Sequence, residues 1–202
     1  MQKPGAVLLD LGNVVLKLDA SRAFLHWAHA AGVTPDTLMS RWALDEAYKR
    51  HEVGAIDFAA YAANLTQRFG VELTLADWLA GWNAIFVEPF ADVIARLPAV
   101  SARYDLCAFT NTNAVHHAEW SQRFGSVLGS FRHIYVSSSI GRRKPDAASY
   151  AWVAEDMGHA PEDIVFLDDS PDNVEGALAA GMRAHHVPHV DRVVEQLDAL
   201  LA

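Results

Sequence analysis

Apolar positions along this chain fall into two rhythms. Short runs dominated by apolar residues stand at 6–11, 105–109, 133–136, 164–167 and 184–187. Runs of this length read as buried strands, because a strand covered on both faces needs no polar alternation. Between most of them, apolar residues return every three or four positions, the spacing of one helix face. The alternation predicts an α/β fold, a doubly wound parallel sheet with helices on both faces. Several boundaries are marked locally. Ser170-Pro171 opens a helix with the stripe Val174, Ala177, Leu178 and a stop at Gly181, and Lys144-Pro145 opens another that ends near Gly158.

Residues 17–97 keep the helical rhythm and show no convincing strand. Phe58, Tyr61, Ala62, Leu65 and Phe69 share a face behind an Asp57 cap. Leu75, Trp78, Leu79 and Trp82 share another behind Thr74, with Asp77 completing a capping box. Two more helices are expected at 21–31 and from 35 to about 50. The division is therefore a sheet unit of residues 1–16 and 98–202 and a helical unit of 17–97, inserted after the first strand.

Composition narrows the functional classes. A net charge of −9 would repel a nucleic-acid backbone or an anionic membrane, while a small anionic ligand remains possible where a few cations converge. No apolar run is long enough to span a bilayer and no secretion signal is visible, which points to a cytoplasmic protein. The one cysteine, Cys107, lies inside an apolar run and reads as a buried strand residue.

Open parallel sheets bind ligands beyond the carboxyl ends of their strands. At those ends this sequence places Asp10-Leu11-Gly12-Asn13, Thr110-Asn111-Thr112-Asn113 and Asp168-Asp169-Ser170-Pro171-Asp172-Asn173, with Lys144 at a helix start. Three carboxylates, a lysine and a hydroxyl at one edge suit phosphoryl transfer. A carboxylate can attack phosphorus, two more can hold Mg2+ through hard oxygen atoms, and a lysine, a hydroxyl and backbone N–H groups can hold the phosphoryl oxygens.

These residues resemble the four motifs of the haloacid dehalogenase superfamily: Leu8-Leu9-Asp10-Leu11-Gly12-Asn13-Val14-Val15, Ala108-Phe109-Thr110-Asn111, Lys144-Pro145, and Phe166-Leu167-Asp168-Asp169 with Asn173. The resemblance implies a Rossmann-like core with a helical cap. It implies a Mg2+-dependent phosphatase acting on a small phosphorylated metabolite, with Asp10 as nucleophile. Thr110, Asn111 and Lys144 would bind the phosphoryl group, and Asp10, the Gly12 carbonyl, Asp168 and Asp169 would serve the metal. More narrowly, Asp10-Leu-Gly-Asn-Val-Val, His51-Glu52-Val53-Gly54 and the Thr110–Asn113 turn resemble the branch that includes bacterial alpha-D-glucose-1-phosphate phosphatase, which implies a sugar phosphate such as a hexose 1-phosphate.

The sequence departs from the common pattern at Gly12, where most phosphatases of the superfamily carry an aspartate that protonates the leaving oxygen. Two alternatives stay open: a 2-haloacid dehalogenase, which expels halide and needs neither proton nor metal, and an inactive member that binds a phosphorylated ligand. The Asp168-Asp169 pair favours the phosphatase. Arg22 could hold a sugar hydroxyl or phosphate oxygen, or form a surface ion pair with Asp19. His51 and Glu52 could reach the site from the cap, and Trp42 or Trp82 could line it. The histidines at 116, 117, 185, 186 and 189 lack the spacing of a zinc site.

Overall fold

The computed structural model describes residues 3–202. Five strands, β1 (Ala6–Leu9), β4 (Asp105–Thr110), β5 (His133–Val136), β6 (Ile164–Asp168) and β7 (Arg183–His186), form one sheet in the order β5-β4-β1-β6-β7. Every pairing in it is parallel. The two strands of a second sheet are β2 (Leu16–Leu18) and β3 (Phe86–Pro89), paired antiparallel. Side chains alternate between the faces of the large sheet. Val7, Leu9, Leu106, Ala108, Val165 and Leu167 enter one apolar cluster, and Ala6, Leu8, Cys107, Phe109, Ile164 and Phe166 enter the other. Both faces are covered, which is why the runs read as unbroken apolar segments and why Cys107 is fully buried. This is a Rossmann-like α/β arrangement. Because Leu9 stands level with Ala108 and Leu167, the residues that follow reach the same edge.

The helix Ser21–Ala31 forms where expected, and Phe58–Phe69 and Leu75–Asn83 form as their caps foretell. Asp57 accepts from the Ala60 N–H, and Thr74 and Asp77 make the reciprocal capping box. The helix expected from 35 to about 50 is instead two, Pro35–Met39 and Glu46–Glu52. The break falls before Asp45, whose carboxylate caps the second helix by accepting from Tyr48 N–H. A short acidic side chain that competes for backbone donors outweighs the apolar rhythm there. These helices gather Phe24, Trp27, Tyr61, Leu65, Phe69, Trp78 and Trp82 into a third cluster.

Two further differences bear on the site. The β2–β3 ribbon runs through a region in which no strand was expected, with Lys17 opposite Glu88; three and four residues are too few to establish a period of two. Phe86, Val93 and Leu97 join the cluster of the large sheet rather than that of the helices. No helix among the described residues is long and apolar enough to cross a membrane.

Candidate active site

Asp10 is the first residue beyond β1, and its N–H donates to the Leu167 carbonyl at 2.9 Å. Its side chain is therefore aimed off the sheet edge by a backbone that is still paired. Lys144 reaches it from a connecting turn. The helix expected to start at Lys144 begins at Ala147 and is capped by Asp146, so the lysine precedes the helix. Its Nζ lies 2.8 Å from Asp10 Oδ1 and donates to Asp168 Oδ2 at 2.6 Å. Lys144 is 1% exposed and Asp168 not at all, so this is a buried triad, with Asp169 close by.

Asp168, the last residue of β6, accepts from three sides. Besides Lys144, the Asn173 amide donates to both carboxylate oxygens at 3.0 and 3.1 Å, and Ser170 N–H donates to Oδ1 at 2.8 Å. The first turn of the helix Pro171–Ala179 supplies two of these donors. Asn111 holds Lys144 by its backbone: its amide donates to the Lys144 carbonyl at 2.9 Å and its carbonyl oxygen accepts the Lys144 N–H at 2.8 Å. The Asn111 side chain is thus engaged in fixing the lysine. The Thr112 N–H donates to Ser137 Oγ at 2.8 Å, so it is engaged within the protein.

Two carboxylates, Asp10 and Asp168, pair with one ammonium group, and Asp169 stands beside them. Burial first, then Asp168 and Asp169, push the Asp10 carboxyl up to about 7 against the pull of Lys144. Asp169 is also raised, by burial and by Asp168. Burial would lower Lys144, but Asp10 and Asp168 together hold it above its ordinary value. One oxygen from each of Asp10, Asp168 and Asp169 lies within 4.8 Å of the others. Hard oxygen donors with an excess of negative charge fit a divalent cation such as Mg2+.

A cavity of about 190 Å³ opens over the triad, lined by Asp10, Gly12, Thr110, Asn111, Lys144 and Asp169, by Tyr48 of the helical unit and by His116 of the helix Ala114–Phe124 that follows β4. Tyr48 and His116 were missed by the sequence reading; Tyr48 lies one turn from Glu52, on the same helix. His116 is stacked on Trp82 at 4.7 Å, its Nε2 is 2.9 Å from the Trp82 carbonyl, and burial lowers its pKa to about 3, so it is neutral. Asn13, with φ of 54°, donates to Asp169 at 3.3 Å and accepts from Leu18 N–H. Arg22 is exposed and donates to the Phe86 carbonyl at 3.4 Å, outside this cavity. Glu52 is buried against Arg143, and His51 is stacked on Tyr61 at 4.9 Å; neither lines the cavity.

A family model described as haloacid dehalogenase-like hydrolase matches residues 5–181. A phosphatase of Mycobacterium tuberculosis is 26% identical over 209 residues, covering 96% of this chain and 94% of that protein. D-ribitol-5-phosphate phosphatase of Bacteroides thetaiotaomicron is 21% identical over 173 residues, covering 83% and 84%. Drimenol cyclase of Aspergillus calidoustus is 42% identical over 67 residues, 33% of this chain, and the chain spans only 13% of that protein. Among solved structures, a haloacid dehalogenase family enzyme of Bacteroides thetaiotaomicron in its magnesium complex superposes with a TM-score of 0.80 at 22% identity, over 92% of this chain and 94% of that one. The L-2-haloacid dehalogenase of Xanthobacter autotrophicus with chloropropionic acid covalently bound gives 0.68 at 19% identity, over 91% and 77%. At these identities the structural likeness speaks for the fold, while the family match spans the β1, β4 and β6 strand ends and Lys144: the chain belongs to the haloacid dehalogenase-like hydrolases.

Proposed function

We propose that this chain is a Mg2+-dependent phosphomonoester hydrolase in which Asp10 forms an aspartyl phosphate. The observation that carries the reading is the buried Asp10–Lys144–Asp168 triad under a small cavity. Asp10 attacks phosphorus, the ester P–O bond breaks, and its electron pair leaves with the alcohol oxygen, which takes a proton from water. A second water then attacks the acyl phosphate, releasing inorganic phosphate and restoring the Asp10 carboxylate. Lys144 and the Thr110 hydroxyl hold phosphoryl oxygens, and Asn111 and Asp168 keep Lys144 in place.

Asp10, Asp169 and the Gly12 carbonyl would hold Mg2+, with Asp168, already bonded on both oxygens, acting chiefly on the lysine. When bound, the cation offsets the charge of the carboxylates and of the incoming phosphate. The helices of 17–97 serve as a cap that keeps bulk water from the acyl phosphate. The substrate is a small phosphorylated metabolite. Gly12 supplies no acid, which favours esters whose leaving oxygen needs little protonation. Such esters include hexose 1-phosphates, whose anomeric oxygen is more acidic than an ordinary alkyl hydroxyl, and aryl phosphates.

The dehalogenase reading draws support from the dehalogenases of like fold, but it gives no task to the Asp169 carboxylate or to the excess negative charge. Phosphate release from a panel of phosphomonoesters separates the two. Turnover should require Mg2+, stop with chelator, and vanish in Asp10→Asn, which keeps the shape and loses the attacking charge. Chelator-insensitive turnover of 2-chloropropionate, or full activity in Asp10→Asn, would sink the proposal.

A further inference from the structure

We infer that the leaving group this enzyme accommodates is aromatic, so that its preferred substrates are aryl phosphates rather than sugar phosphates. The inference rests on the phosphatase reading above and concerns the half of the substrate beyond phosphorus. A second cavity, of about 260 Å³, adjoins the one over Asp10 and shares Asn13, Leu18, Tyr48, Ile85 and His116 with it. Beyond those shared residues its walls are the rings of Phe24, Trp27, Trp42 and Trp82, with Ala20 and Ala23 between them. A group attached to a phosphoryl held by Lys144 has this space directly available.

Several polar side chains of that wall are already bonded elsewhere. The Asn13 amide is engaged with Asp169 and Leu18. His116 Nε2 bonds the Trp82 carbonyl. The Trp27 indole donates to the Trp78 carbonyl. Only the Trp82 indole N–H is buried without an acceptor. A hexose placed here would give up water at each of its hydroxyls against a wall made mostly of ring carbon and aliphatic side chains. An aromatic ring would lose nothing of the kind and would meet edges and faces of four other rings. The volume is sufficient, since an apolar cavity of about 150 Å³ holds benzene.

Gly12 supports the same conclusion by separate chemistry. A phenoxide delocalises the charge it carries away and departs without a general acid, whereas an alkoxide does not.

The test compares kcat/KM, by phosphate release in Mg2+, for phenyl phosphate, 2-naphthyl phosphate and glucose 1-phosphate. Phenol and 2-naphthol have nearly equal acidity, so that pair reads the cavity and not the leaving group. We expect 2-naphthyl phosphate to exceed phenyl phosphate by about tenfold or more, and glucose 1-phosphate to fall below both. Trp42→Ala should bring the naphthyl-to-phenyl ratio close to one. Should that variant fail to fold, competitive inhibition of the wild-type enzyme by naphthyl- and phenylphosphonate gives the same comparison. Equal constants for the two rings, or a preference for glucose 1-phosphate, would overturn the inference and leave the phosphatase intact. No phosphate release from any ester would overturn both.

Discussion

Burial and the neighbouring carboxylates favour a proton on Asp10, whereas Lys144 favours its ionised form. Its carboxyl, pushed up to about 7 in the fold against 3.8 unperturbed, takes up a proton on folding between those values. The contribution of this group to the stability of the metal-free protein is therefore full at acid pH and declines as pH rises from about 4 to 7. Mg2+ competes with the same proton, because a carboxylate ligand must be ionised. The rise in Tm produced by Mg2+ should thus be larger at about pH 8 than at about pH 5, and Asp10→Asn should flatten the difference. Equal shifts at both pH values would argue against Asp10 as a ligand. Two residues on, a Cβ at Gly12 would stand 2.9 Å from Leu18 Cδ1 and 3.8 Å from Asp10 Oδ2. The Leu18 tip can turn aside, so Gly12→Asp should fold and place an acid near the leaving oxygen. Turnover of glucose 6-phosphate should then rise against that of phenyl phosphate, with general acid help worth about 10²–10⁴-fold at most. An unchanged ratio of kcat/KM would show that protonation does not limit the poorer leaving group.

Between elements, the position of Lys144 depends on how closely a helix approaches its turn. Gly176, inside the helix Pro171–Ala179, faces the Pro145 backbone; a Cβ there would fall 2.1 Å from the Pro145 carbonyl oxygen and 3.0 Å from Tyr150 Cε2. On helix propensity alone, alanine should stabilise this position by about 1 kcal/mol. The contact decides otherwise, because carbonyl and helix must separate. Gly176→Ala should cost about 1–3 kcal/mol in urea unfolding and should lower kcat by shifting the turn that carries the lysine. A neutral or stabilising outcome would show that the turn yields freely. The same helix presents Ser170 and Asn173 to Asp168, so one element both orients the carboxylate and sets the depth of its partner.

Across the whole molecule, the helical residues are tied to the catalytic edge through Glu52. Its carboxylate accepts from Arg143 Nε at 2.9 Å, and its carbonyl lies 2.6 Å from Ser137 Oγ. Burial raises the Glu52 carboxyl, against Arg143. Glu52→Ala would leave Arg143 without that partner, and should destabilise the fold by about 1–3 kcal/mol and raise KM, since Tyr48 of the same helix lines the cavity. A wild-type Tm together with a wild-type KM would remove this tie from the account. Some of this organisation was legible along the chain. The strands, the caps at Asp57 and Thr74, and the meeting of Asp10, Thr110 and Asp168 at one edge follow from local periodicity, from side chains that cap their own helices, and from the rule that parallel strands end together. Other features were decided only in three dimensions. They include the β2–β3 ribbon, the Asn111 clamp on Lys144, the saturation of Asp168, the Glu52–Arg143 tie and the aromatic cavity beside the triad. All but the Ser170 and Asn173 bonds to Asp168 join residues far apart in the chain, such as Asn111 with Lys144 or Trp82 with His116. Periodicity states which face of an element is apolar, but not which distant face will meet it, and these contacts exist only where two faces meet.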